Sequence, residues 1–117
     1  MMENMANWAG NYTYQAARVY YPSTVTEVQD IAKNSTQLKA LGTRHSFNGI
    51  ADCDQDLVSL RNMNQILALD PAGRSVTVAG GIQYGELSNY LHSVGLALRN
   101  LASLPHISVA GACATAT

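Results

Sequence analysis

Charge is scarce in these 117 residues. The 7 Lys+Arg and 8 Asp+Glu make up 13% of the chain and leave a formal net charge of −1. The cations are scattered, so no basic patch is available to draw in nucleic acid or an anionic membrane, and neither is expected as a partner. Cysteine is also scarce. Cys53 and Cys113 stand apart, with neither CxxC spacing nor the density of a disulfide-stapled secreted domain. Taken with His45, His92 and His106 they show no ligand-pair spacing, which argues against a zinc site. No apolar stretch approaches the roughly 20 residues that span a bilayer. Met1-Met2-Glu3-Asn4 lacks the basic and apolar regions of a signal peptide. A cytoplasmic protein with reduced thiols is the expectation. A GxGxxG fingerprint and a Walker A lysine are absent as well. Ser46, His45 and Asp52 could be drawn as a triad, but no GxSxG elbow supports one.

What is present is enough apolar material for a core, 47% of the chain, within the length of one domain. Trp8 to Tyr14 mixes aromatics with turn formers and reads as an extended lead-in. Ala17-Arg18-Val19-Tyr20-Tyr21 favours a strand that stops at Pro22. Thr24 with Glu27 three residues on is a helix start in capping-box register, and Val25, Val28, Ile31 and Ala32 fall on one helical face. Asn34-Ser35 ends that helix, and Leu38 to Leu41 forms the next strand, giving a βαβ unit with parallel strands. Asp52 to Asp56 reads as acidic and irregular. Leu57 to Leu60, Ile66 to Asp70 and Ser75 to Ala79 then suggest a β meander, with Pro71-Ala72-Gly73 as a hairpin turn. Tyr84 to Ser93 recurs at helical period, with Gly95 as a C′ residue. The fold class expected is α+β: an N-terminal βαβ unit, a β meander and a helix, without internal repeat or low-complexity linker.

Two stretches could carry chemistry. In Ala40-Leu41-Gly42-Thr43-Arg44-His45-Ser46-Phe47-Asn48 an apolar run stops at a glycine and a tight loop follows, placing one imidazole directly after a buried strand. Backbone N–H groups in such a loop can form a nest for an anion. On these residues alone His45 reads either as a loop histidine bonded to its own turn or as a positioned base or nucleophile titrating near neutrality. The second stretch, Leu101 to Thr117, is almost uncharged and rich in small residues. It reads equally as a small-residue helix packed on a sheet and as a run whose backbone approaches a flat ligand or phosphate. Gly80-Gly81 is open to the same two readings.

Gly42 to Asn48, Gly80 to Leu87 and Leu101 to Gly111 together resemble the flavin-binding half of the vanillyl-alcohol-oxidase-type (PCMH-type) flavoproteins. Within that group, Ala102-Ser103-Leu104-Pro105-His106-Ile107-Ser108-Val109-Ala110-Gly111 and the opening Asn7-Trp8-Ala9-Gly10-Asn11 look most like alditol (xylitol) oxidases, relatives of the aldonolactone oxidases. The resemblance runs from about Asn7 to Thr117. It implies an FAD-binding module, with a first subdomain over about residues 17–80 and the start of a second over about 81–117. His45 matches the position bonded covalently to the flavin. Gly42, Thr43, Arg44, Ser46 and Phe47 match residues along the pyrophosphate, and Ser103 matches a serine near the isoalloxazine. His106, Ser108, Gly111, Cys113, Thr115 and Thr117 match a second cofactor-binding run.

The implied parent activity is oxidation of a polyol's primary alcohol to the aldehyde, with O2 reduced to H2O2. Many relatives have a second glycine where this chain has Arg44. The cofactor-binding run of the family continues with His-Gly where this chain ends, and its substrate-binding domain has no counterpart here. The expectation is therefore an N-terminal fragment, inactive alone, with a lactone oxidase, a dehydrogenase or a non-catalytic binding module as alternatives.

Overall fold

The computed structural model describes residues 5–116, which divide between Asn62 and Met63 into two compact units. The first holds β1 (Arg18–Tyr20), α1 (Val25–Asn34), β2 (Leu38–Leu41), a short 3-10 turn (Gly49–Ala51) and β3 (Asp56–Ser59). All three strands run parallel in the order β1-β3-β2. The expected β1-α1-β2 succession is therefore present, but β1 and β2 are not neighbours. The third strand enters between them instead of starting a meander. Its first residue explains the placement: Asp56 pairs across the sheet with Arg18, and Arg18 Nε donates to Asp56 Oδ1 at 3.0 Å. A carboxylate that is only 2% exposed requires such a partner, and β1 supplies it. Every residue of β3 is buried, as the middle strand of a parallel sheet should be.

Leu57, fully buried, forms the first core with Tyr14, Ala16, Leu41 and Cys53. α1 begins as its sequence signals predict, with Thr24 Oγ1 accepting from the Glu27 N–H at 3.2 Å. Its apolar face is a different matter. No residue of α1 is buried, and Val25 is 62% exposed.

The second unit holds β4 (Ile66–Asp70), β5 (Ser75–Val78), α2 (Tyr84–Ser93) and α3 (Val109–Ala114). β4 and β5 form an antiparallel hairpin, with a register irregularity between Ile66 and Ala68. The Pro71–Gly73 turn is closed by Asp70, whose Oδ1 accepts from the Gly73 N–H at 3.0 Å. The anticipated three-strand meander is thus a two-strand hairpin in its own sheet; the α+β class stands. The second core joins Ile82, Leu87 and Leu91 with half-buried side chains of the hairpin, such as Val76 and Val78. α2 ends as expected, at Gly95 in the left-handed region (φ 79°) that glycine adopts without a Cβ penalty.

Candidate functional site

β2 ends at buried Leu41, and the chain leaves the sheet through Gly42 into the loop that carries His45. The imidazole is half-buried, and Thr43 Oγ1 lies 3.0 Å from its Nδ1. The Trp8 indole stacks on the ring face, with centroids 5.3 Å apart and planes 25° from parallel. Ser46 Oγ caps its own turn by donating to the Asn48 carbonyl at 3.3 Å, and Asn48 Oδ1 accepts from the Ile50 N–H at 3.0 Å.

Arg44 has φ 64°, the left-handed region that favours glycine. That explains how a glycine could serve at this position, and it fixes where the side chain goes. The guanidinium Nη1 donates to the Ala6 carbonyl at 2.7 Å.

Residues 6–13 are not an extended lead-in. Ala6 and Thr13 bridge antiparallel, the Asn7 N–H donates to the Tyr12 carbonyl at 2.9 Å, and Gly10 turns the chain at φ 78°. The closed loop lies against the His45 loop. The Trp8 N–H donates to the Arg44 carbonyl at 2.6 Å, Asn7 Nδ2 to the Ser46 carbonyl at 2.7 Å, and Asn11 Nδ2 to the Phe47 carbonyl at 3.1 Å. Buried Asp52 anchors the loop's base. Its carboxylate accepts from the Tyr12 hydroxyl at 2.7 Å, the Gln15 N–H at 2.7 Å and the Cys53 N–H at 2.9 Å. Residues 52–55 are irregular as expected, and Asp56 opens β3; the buried carboxylates of Asp52 and Asp56 hold the fold together.

The resemblance drew attention to Asn7-Trp8-Ala9-Gly10-Asn11, but sequence reasoning gave Trp8, Asn7 and Asn11 no role beside His45 and gave Asp52 no role as the loop's anchor.

The second stretch is ordered by a cap. Ser108, 7% exposed, accepts the Gly111 N–H on its Oγ at 3.2 Å and so starts α3. A Cβ on Gly111 would lie 2.7 Å from that oxygen, so a larger residue there would require the Ser108 hydroxyl to shift. Thr115 Oγ1 donates to the Gly111 carbonyl at 3.3 Å. Residues 105–109 pair with the start of α2: the Tyr84 N–H donates to the Ile107 carbonyl at 3.0 Å, the Gly85 N–H to the Pro105 carbonyl at 2.7 Å, and the Val109 N–H to the Ile82 carbonyl at 3.0 Å. Burial pushes the Tyr84 phenol up, with Cys113 beside it adding to the shift. Ser103 and His106 are exposed on the preceding turns. Thr117 lies outside the described residues.

The donor set fits FAD. Two hydroxyls (Thr43, Ser46), one cation (Arg44) and an imidazole suit a pyrophosphate and its flanking polar groups. Phe47 and Ile50, exposed by 67% and 75%, offer apolar surface beside them for flat aromatic rings. A model of the FAD binding domain family matches residues 16–117. The chain belongs to that family. FAD is its cofactor.

This FAD-binding chain is 46% identical over 121 residues to an alditol oxidase of Streptomyces sp., covering 100% of itself and 29% of that protein. It is 35% identical over 119 residues to a D-arabinono-1,4-lactone oxidase of Eremothecium gossypii, with 95% and 22% covered. It is 32% identical over 115 residues to an L-gulonolactone oxidase of Scyliorhinus torazame, with 95% and 26% covered. The chain therefore spans less than a third of the length of each of these relatives. Among the described residues, no helix is long and apolar enough to cross a membrane.

Proposed function

We propose that the chain is the cofactor-holding part of a cytoplasmic FAD-dependent oxidoreductase that oxidises the primary alcohol of alditols such as xylitol to the aldehyde, with O2 reduced to H2O2. The observation that carries this reading is the 46% identity to an alditol oxidase over the whole chain, against 30–35% for the lactone-oxidising relatives. Bound FAD supplies the hydride acceptor and passes the electron pair to oxygen. The chain's own residues hold it.

His45 is the attachment point, and its neutral imidazole, with a lone pair on one ring nitrogen, is the reactive form. Gly42 lets the backbone come close, Thr43, Ser46 and Phe47 line the pyrophosphate side, and Arg44 adds a positive charge there while braced on Ala6. Ser103, His106, Ser108, Gly111, Cys113, Thr115 and Thr117 supply the second binding run. In it, the cap from Ser108 to Gly111 sets the backbone course and leaves the flanking groups for contact.

The test is acid precipitation of the protein after incubation with FAD. Yellow flavin is expected to pellet with the unaltered protein and to remain in the supernatant with His45→Ala. Flavin that pellets equally with both overturns the attachment, and a protein that takes up no flavin at all overturns the cofactor-holding role in favour of a non-catalytic binding module. Lactone oxidation is the second reading, favoured by the gulonolactone and arabinonolactone oxidases among the relatives; comparing xylitol with an aldonolactone as the source of peroxide, in the whole oxidoreductase of which this chain is the cofactor-holding part, separates the two.

A further inference from the structure

Two contacts from different parts of the first unit bear on the His45 ring. In the ring plane it meets the Thr43 hydroxyl at 3.0 Å, and across its face it meets the Trp8 indole at 5.3 Å between centroids. The χ2 torsion of histidine is an sp³–sp² rotor with broad preferences. A hydroxyl whose own hydrogen rotates constrains that torsion less than a ring packed on the imidazole face. A stacked ring stiffens it, because turning the imidazole out of the stack gives up the whole contact.

Burial does not hold Trp8 in place, since 56% of it is exposed. Its backbone and its neighbours do. The carbonyls on either side of His45 are both pinned by the 6–13 loop: the Arg44 carbonyl by the Trp8 N–H at 2.6 Å, and the Ser46 carbonyl by Asn7 Nδ2 at 2.7 Å. Asn7 is itself 4% exposed, and its Oδ1 accepts from the Tyr12 N–H at 3.1 Å, so the carboxamide that grips Ser46 is rigid at both ends. Arg44 returns the tie through the Ala6 carbonyl. The indole and the imidazole it stacks on are thus carried by two loops laced together on both sides of the histidine.

We infer that Trp8 is a positioning residue for the His45 imidazole, and that the 6–13 loop is the brace that sets the ring before the cofactor arrives. The inference rests on the reading of the His45 loop as the FAD-holding loop. A ring fixed in advance spares FAD the entropy of ordering it.

Two measurements on the purified chain test this. The first needs no cofactor. In NMR spectra the ring protons of His45, assigned through His45→Ala, are expected to be displaced by the indole ring current. They should move to the position of an exposed imidazole in Trp8→Ala, be partly restored in Trp8→Phe, and move in the same sense in Asn7→Ala, which loosens the brace without altering either ring. His45 signals already at the exposed position, unmoved by Trp8→Ala, or identical in Trp8→Phe and Trp8→Ala overturn the stacking. The second measurement is the affinity of the initial FAD complex, before attachment, expected to fall by roughly two- to tenfold in Trp8→Ala, the range of one aromatic contact, and to recover in Trp8→Phe. Equal affinity in the unaltered chain and Trp8→Ala overturns the positioning role. Failure of the unaltered chain to bind FAD overturns the proposed function, while the cofactor-free spectra still decide the Trp8–His45 geometry.

Discussion

Tyr12 and Tyr14 meet edge to face, with ring centroids 5.5 Å apart, and both respond to Asp52 in their ionisation. The phenol of Tyr12 is held above its ordinary value chiefly because its hydroxyl donates to Asp52, with burial and the nearby negative charge adding to the effect. Tyr14 is raised by burial first and by Asp52 second, with Arg44 pulling the other way. Its hydroxyl is buried with no hydrogen-bond partner, so ionising it would place an unpaired charge in the core. Both folded values lie above the unfolded one, so this contribution to stability is complete below the unfolded tyrosine value of about 10 and is lost as pH climbs through the folded values. Thermal midpoints followed with tyrosinate absorbance should be level at neutral pH and drop on the alkaline side. Tyr14→Phe should make that drop shallower while leaving the neutral midpoint level or slightly higher, because it removes a buried donor that had no acceptor. A steeper alkaline fall in Tyr14→Phe would contradict this account.

At the scale of elements, β3 and α1 are opposites. β3 is buried throughout and Leu57 is fully enclosed, whereas α1 buries nothing. Leu57→Ala should therefore lower unfolding free energy by about 2–5 kcal/mol, through lost transfer energy and an incompletely collapsed cavity. Val25→Ser, at a position 62% exposed, should stay within about 0.5 kcal/mol, although both are apolar residues of regular elements. Urea midpoints check the pair, and similar shifts for both would mean that α1 is covered in solution. The contrast also marks what was legible in the sequence. The apolar period of α1, its Thr24 cap and its end at Ser35 are local signals, and they were read correctly. Whether the apolar stripe is covered depends on residues far along the chain, and period alone carries no information about that. The same limit accounts for β3. Four consecutive residues announce a strand, but its place between β1 and β2 depends on Asp56 meeting Arg18, 38 positions away.

For the whole molecule, the 117 residues cover 29% of the alditol oxidase they match over their full length. Two cores, one around Leu57 and one around Ile82, give each compact unit its own apolar support. The segments proposed to hold the cofactor are built on those cores: the His45 loop follows β2, and the 105–109 segment hydrogen-bonds to the start of α2. The purified 117-residue chain, given FAD and xylitol, should release no hydrogen peroxide in a coupled peroxidase assay, and sustained peroxide release would overturn the division of labour proposed above.

The sequence by itself determined the α+β class, the ends of α1 and α2, the hairpin turn at Pro71–Gly73, and the resemblance that led from Gly42–Asn48 to FAD. Each of these is written within a window of a few residues, where caps, periodicity and motif spacing act. Only the tertiary structure decided that β3 divides the βαβ pair, that Arg44 turns back to Ala6, and that Trp8 lies on His45 under the hold of Asn7 and Asn11. The Asn7–Ser46 bond joins residues 39 positions apart. Contacts of that span depend on how strands and loops come to lie together, and short-range preferences along the chain do not encode them.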